Sequence, residues 1–464
     1  MRGLAALLLL AAACAGAQTR YPVDWKNAGA ELLDDFITLV KIDTSNPPVN
    51  ETAAAKAIEA VLKREGIPVK LFALDPGRAN LVARIPGSGS KRPLLLMGHT
   101  DVVGVERERW SFDPFAAIRR NGIVYGRGTT DDKSHVAAAM TILMLLHRMH
   151  VKLDRDVIFL AEAGEEGTTG VGIDYMVRDH WPEIEAEYAL AEGGSIVEEN
   201  GRVHHVLVTT TEKVPRVIRL VAHGPAGHGS RPVPDNAVVL LARAVARAGT
   251  WQTPLRLNAT TRAYFGRLAA ISPLAEATRY LAILDPARAP EADRYFQLHD
   301  PGHYSILRTS VVPTILKGGF RTNVIPSQAE ADLDVRLLPD ENFPAFMDEL
   351  RRVIGDARVE AIPLAEPSRP AAPPSRLDTE MYRALEAVGR RMFGAPTIPA
   401  MLTGATDNAQ LRARGVQAYG VGELVSVEDG PLGGAHSDDE RLSVRSLETM
   451  TEFLWNAVLE VAAR

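Results

Sequence analysis

Cysteine is almost absent from this chain of 464 residues: there is one, Cys14. It lies in a leader-like segment, so the mature fold has no disulfide, and any metal site must use His, Asp and Glu rather than thiolates. A surplus of positive charge is also missing. Fifty-two Lys and Arg face 58 Asp and Glu, a net charge of -6, which gives no reason to expect nucleic acid or an anionic membrane as partner. Internal repeats and low-complexity tracts are absent beyond the first residues. The only long apolar run, Leu4 to Ala13, is too short for a comfortable transmembrane span.

That run reads instead as a targeting segment. Arg2 supplies the positive start and Ala15-Gly16-Ala17 an A-x-A cleavage site, so residues 1–17 are expected to be a signal peptide and the mature protein secreted or periplasmic. Ala11-Ala12-Ala13-Cys14 is a loose lipoprotein box without the usual Leu, which leaves a lipid anchor on Cys14 as the second reading.

What remains has an ordinary globular composition and a length that exceeds one hydrophobic core, so two domains are expected. Helices are expected at 28–42, 52–65 and 134–150. Apolar runs at 93–97, 156–161 and 188–191 suit strands buried on both faces. Their alternation with helices predicts an α/β fold, a mostly parallel sheet flanked by helices. From about 213 the pattern changes. Val214 to Ala222 alternates, a helix is expected at 236–248, strand-like pieces follow near 310–316 and 330–337, and then a helix at 343–354. This is read as a smaller α+β unit inserted at 213–374, with 251–304 mostly helical, between catalytic segments 22–212 and 375–464. Pro-rich residues 367–374 mark the return, followed by a helix at 377–393 and a strand at 418–421.

The apolar strands end in chemistry. The first runs into Gly98-His99-Thr100-Asp101, the second into Gly164-Glu165-Glu166-Gly167, and the third into Glu192-Gly193-Gly194. Gly126-Arg127-Gly128-Thr129-Thr130-Asp131-Asp132 precedes a helix, and Gly434-Ala435-His436-Ser437 lies near the end. Ligands of open α/β sheets bind beyond the carboxyl ends of the strands. Two His and three carboxylates exceed one tetrahedral zinc but suit two ions about 3.5–4 Å apart, which activate a water and polarise a carbonyl. Zinc fits such donors, with Co or Mn as substitutes. Each motif also has a plainer reading: Asp131 and Asp132 suit a helix cap, Glu165-Glu166 a solvated turn, and Arg336 a surface ion pair.

In order and context, these motifs resemble the dinuclear zinc aminoacylase/carboxypeptidase family over nearly the whole mature chain. The resemblance implies a zinc-dependent amidohydrolase or metallo-carboxypeptidase acting on N-acyl amino acids or peptides with a free carboxylate. It implies His99, Asp131, Glu166, Glu192 and His436 as ligands of two zinc ions per subunit, with Asp131 bridging. Glu165 is implied as the base and Asp101 as the residue that orients His99. The inserted unit is similar to the family's lid or dimerisation domain, so a homodimer is expected through it. His228 would approach the scissile carbonyl, and Asn323, Arg336 and Gly404 would bind substrate. The long segment 251–304 and Glu192-Gly193-Gly194 look most like the carboxypeptidase S and N-acyl-amino-acid hydrolase branch. A dipeptidase, a deacylase of a biosynthetic amino acid, or a non-catalytic peptide-binding protein on the same fold are the alternatives. His204, His205, His223, His299 and His303 match no motif and are read as structural.

Overall fold

The computed structural model describes residues 21–364, 369–427 and 434–464. The expected signal peptide at 1–17 and the anchor on Cys14 lie outside the described residues, as does part of the Pro-rich stretch. Two compact units are resolved. One takes the chain up to Thr210, Ser375–Ala400 and Thr406–Arg464; the other takes Thr211–Pro374 and Met401–Ala405.

The first unit is built on a ten-stranded sheet. In chain order its strands are Val69–Ala73 (β1), Ala79–Ile85 (β2), Leu94–His99 (β3), Val157–Glu162 (β4), Tyr188–Ala191 (β5), Ser195–Glu199 (β6), Arg202–Glu212 (β7), Thr397–Leu402 (β8), Gln417–Gly420 (β9) and Leu424–Ser426 (β10). Across the sheet they run β1-β2-β4-β3-β5-β9-β7-β6-β10, with β8 beside β7. The central strands β4, β3, β5 and β9 are parallel. The flanks are largely antiparallel, so the sheet is mixed. The reason is local. Short connections cannot make a parallel crossover, and both β1-β2 and β6-β7 are joined by short turns. The β6-β7 turn is Asn200-Gly201, both in the left-handed region (φ 52° and 71°), which suits a two-residue hairpin.

Alternation along the central strands divides two cores. Leu94, Leu96, Val157 and Phe159 face one cluster, while Leu95, Met97, Ile158 and Leu160 face the other. The first face is covered by helices Trp25–Val40 (α1), Lys133–Arg148 (α2), Glu380–Phe393 (α3) and Val444–Ala462 (α4). Helix α2 is buried along nearly its whole length, which explains its Val/Ala/Met/Leu composition. Helix α3 starts at Glu380 rather than near 377 because Thr379 caps it, accepting from the Tyr382 N–H.

The second unit has a four-stranded antiparallel sheet in the order Ser310–Gly318, Gln328–Leu337, Val214–His223, Val359–Pro363. Helices Ala237–Thr250 and Phe343–Ile354 pack on it through a separate apolar cluster. The segment between them is helical, as its composition suggested: Ala259–Ala269, Leu274–Leu284, Ala289–His299 and Pro301–Ile306 close on Phe265, Ile283 and Phe296. Among the described residues, no helix is long and apolar enough to cross a membrane.

Candidate metal centre

Three neighbouring parallel strands bring the first residues together. His99 ends β3, Glu165 and Glu166 follow β4, and Glu192 follows β5, so all four sit at one carboxyl edge. Asp131 comes from the loop before α2. His436, with φ 63°, comes from the segment that leads into α4. His99 Nε2 lies 2.9 Å from Asp131 Oδ1, and His436 Nε2 lies 3.1 Å from Asp131 Oδ2. Asp131 therefore stands between the two imidazoles. His436 Nε2 is also 2.9 Å from Glu166 Oε1. Donor atoms of His99, Asp131 and Glu166 lie within 4.8 Å of one another, and so do those of His99, Glu165 and Glu192.

The surrounding residues account for this geometry. His99 Nδ1 sits 3.0 Å from the Asp101 carbonyl oxygen, which favours a proton on Nδ1 and leaves Nε2 facing Asp131. The Asp101 carboxylate is 3.6 Å from the same ring nitrogen. Its stronger contacts are elsewhere: it accepts from the Glu165 and Glu166 N–H groups, each at 3.1 Å. Asn46 joins this knot, its amide donating to Asp101 Oδ2 at 3.0 Å and to Thr168 Oγ1 at 2.7 Å. On the other side Glu440, fully buried, accepts from Arg127 Nη1 and from the N–H groups of Gly128, Thr130 and Asp131. Asp132 makes no capping bond to α2; its carboxylate accepts from the His99 N–H and pairs with His135 at 2.5 Å.

Asn46, Glu440 and His135 were not singled out from sequence. Glu440 closes the Ser437-Asp438-Asp439-Glu440 run, and Asn46 sits in the Ser45-Asn46-Pro47-Pro48 turn. What identifies them is contact across more than fifty residues, which no local pattern carries.

The electrostatics are those of a cation site. Burial opposes charge on His99, yet hydrogen bonds to Asp101 and Asp131 hold its imidazole well above the usual range. Asp131 and Glu166 raise His436 to about 10. Burial and then the neighbouring Glu165 and Asp131 push Glu192 well above the carboxylate range. Burial would raise Asp131 as well, but the two imidazoles outweigh it and hold it low. With its own side chains alone, the cluster retains protons where positive charge is needed. Imidazole nitrogens and carboxylate oxygens converging without a thiolate fit two divalent ions of the zinc, cobalt or manganese type.

The second unit holds the other candidates. His228 and Asn323 are brought together: Gly227–His228 pairs with Val324–Ile325, and the Gly229 N–H donates to the Asn323 carbonyl at 2.8 Å. Both side chains are exposed. Arg336 is half-buried on Gln328–Leu337 and forks onto Asp334 at 2.7 and 3.2 Å. Gly404 lies in the 401–405 segment, whose Leu402 carbonyl accepts from the Lys213 N–H. Lys213, also unremarked in the sequence, is fully buried. Its ammonium donates to Ser310 Oγ at 2.8 Å and to the Ser305 carbonyl at 3.1 Å. The unmatched histidines have polar or aromatic partners. His303 bonds Asp300 and Tyr264, and His204 bonds His205.

Residues 95–460 match the model for Peptidase family M20/M25/M40. Human N-fatty-acyl-amino acid synthase/hydrolase PM20D1 is 27% identical over 385 residues, 80% of this chain and 74% of that protein. Human aminoacylase-1 is 26% identical over 422 residues, 88% of this chain and 89% of that protein. Among solved structures, the M20 family metallo-carboxypeptidase Sso-CP2 from Sulfolobus solfataricus shares the fold. Its TM-score is 0.68 at 18% identity, covering 93% of this chain and 99% of that one.

Proposed function

The chain belongs to peptidase family M20/M25/M40 and is a metal-dependent hydrolase of amide bonds; on that premise we propose that it is a secreted or periplasmic dinuclear zinc amidohydrolase. Its substrates are N-acyl amino acids or peptides with a free C-terminal carboxylate. The observation that carries this reading is the convergence of His99, Asp131, Glu166, Glu192 and His436 around one carboxyl edge, with Glu165 among them. In this reading Asp131 and the other four residues would hold two zinc ions. Bound zinc supplies a Lewis acid for the scissile carbonyl and makes water acidic enough to attack near neutral pH.

The chain's own residues do the rest. Glu165 takes a proton from the attacking water and passes it to the departing amine nitrogen. Asp101 and Asn46 fix the backbone that carries Glu165, so the base cannot drift from its target. In the second unit, read as a lid spanning 213–374, Arg336 binds the substrate carboxylate. Asp334 takes one edge of its guanidinium, and a planar fork has further N–H groups to offer. Asn323 and the Gly404 loop position the substrate, and His228 donates to the developing oxyanion. The Ser310–Gly318 strand ends its sheet with Val312, Ile315 and Leu316 exposed, a bare apolar edge suited to pairing with a second copy. If a homodimer forms there, Leu316→Lys converts it to monomer by sedimentation; an unchanged mass rejects that edge.

The test of the whole reading is hydrolysis by the zinc-loaded protein. N-acyl amino acids and dipeptides are each assayed beside their C-terminal amides and a chelator-treated control. Chelator-sensitive cleavage confined to free acids is expected. Cleavage that survives chelation, or no cleavage with both ions bound, overturns it.

A further inference from the structure

The strands that carry two of the candidate ligands stop pairing before they reach them. β3 and β5 pair from Leu94 opposite Tyr188 to Leu96 opposite Leu190, and the ladder ends there, three residues before His99 and two before Glu192. Each strand stays paired on its other side: β3 with β4 up to His99 opposite Glu162, and β5 with β9 up to Ala191 opposite Gly420. Donor atoms of His99 and Glu192 nevertheless lie, with Glu165, within 4.8 Å of one another. Pairing of these two strands does not set that distance.

The start of α2 spans the gap. The His99 N–H donates to Asp132 Oδ2 at 3.1 Å, and Asp132 Oδ1 lies 2.5 Å from His135 Nδ1. His135 Nε2 lies 2.8 Å from the Val421 carbonyl oxygen, which can only accept, so this nitrogen carries a hydrogen. The Val421 N–H in turn donates to the Ala191 carbonyl at 2.8 Å, one residue before Glu192. The path from His99 through Asp132, His135 and Val421 to Ala191 thus joins the end of β3 to the end of β5. Close packing stiffens both ends of it. A Cβ on Gly98 would stand 3.0 Å from Asp132 Oδ2, and one on Gly420 would stand 2.4 Å from the Glu192 carbonyl oxygen. His99, Asp132 and His135 are all buried. Burial opposes charge on His135, yet Asp132 outweighs it and raises the imidazole to about 9, with Glu423 adding from 3.8 Å.

We propose that His135 is a positioning residue of the metal centre, which sets the spacing between His99 and Glu192 where their strands no longer pair; this rests on the dinuclear amidohydrolase reading. The plainer role for a buried histidine beside a carboxylate is to neutralise it. The two roles ask for different atoms. A neutraliser of Asp132 needs only Nδ1, whereas a spacer needs Nδ1 and Nε2 together, because either contact alone leaves one strand end unheld.

The two contacts can be cut separately. His135→Asn sets an amide nitrogen near the place of Nδ1 and no longer reaches Val421; His135→Gln sets one near Nε2 and gives up Asp132. The full chain is stripped of metal and titrated with zinc against a fluorescent chelator, with folding checked by circular dichroism. Wild type should take up two ions. In each variant one ion should bind about 10–100-fold more weakly while the other keeps its affinity, and kcat for an N-acyl amino acid should fall with KM unchanged. If either variant fails to fold, Asp132→Ala interrupts the same path at its neighbouring member and should show the same selective loss. An asparagine variant as tight as wild type means that His135 serves Asp132 alone, and equal weakening of both ions means that it supports the centre as a whole. Either result overturns the spacing role and leaves the amidohydrolase reading standing. A wild type that takes up no zinc overturns both.

Discussion

The two compact units place their candidate functional residues differently. In the first, buried His99, Asp101, Asp132, Lys133, His135, Glu165 and Glu440 crowd one sheet edge, and most touch one another directly or through backbone N–H groups. In the second, the core beneath the sheet is apolar, and the candidate substrate residues His228 and Asn323 are exposed. Buried groups held by several partners keep fixed geometry, which bond-breaking chemistry requires. Exposed groups on loops vary at little cost to the fold, which suits recognition. Under the proposed function the contrast gives chemistry to one unit and selection to the other, a division that experiment can break.

The largest effect should come from Glu165→Gln. If the first unit alone does the chemistry, kcat falls about 10²–10⁴-fold while metal content, read by elemental analysis, stays at wild-type level. Activity retained in that variant removes Glu165 as the base. Arg336→Ala should behave as a lesion of the other unit. KM for free acids rises about 10–100-fold with kcat nearly unchanged, and amidated analogues are indifferent. Equal losses on acids and amides would make Arg336 structural and blur the division.

A third test uses Lys213, a buried ammonium of the second unit. Burial, reinforced by the nearby Arg336, pushes Lys213 down to about 7. The unfolded chain, with an ordinary lysine near 10.4, binds the extra proton between these values. Stability therefore rises with pH across about 7 to 10.4 and is lost as pH falls through 7, by at most about tenfold in the folding constant per unit. Urea unfolding at several pH values should show this rise in wild type and lack it in Lys213→Met. The same slope in both proteins would mean that Lys213 is charged when folded.

Much of this arrangement was legible in the sequence, for reasons particular residues make plain. The strands ending in His99, Glu162 and Ala191 are continuous apolar runs, so their burial and the polar break after them can be read locally. The hairpin β6-β7 was missed although Asn200-Gly201 announces it, and with it part of the sheet's antiparallel flank. The supports of the site were less accessible. Glu440 grips the Asp131 loop from 309 residues away, and Lys213 is fixed by Ser305 and Ser310. Such contacts follow from the way distant segments pack, and neither periodicity nor composition encodes them.

The smallest effect, and the sharpest probe of the division, belongs to Asn46. Its amide is one of three donors to the Asp101 carboxylate; the other two are backbone N–H groups of Glu165 and Glu166, which substitution leaves in place. Asn46→Ala should therefore cost one hydrogen bond, about 0.5–1.5 kcal/mol, or roughly twofold to tenfold in kcat. The loss belongs in kcat and metal affinity, because Asn46 holds the turn that carries Glu165 and Glu166 and lies wholly within the first unit. Asn46→Asp keeps the shape but sets a carboxylate about 3 Å from Asp101 Oδ2, so it should do worse than alanine. A change confined to KM would place Asn46 among the substrate contacts. An aspartate variant as active as wild type would mean that the amide's donated hydrogen bond, the reason for assigning it a positioning role, does not matter to the chemistry.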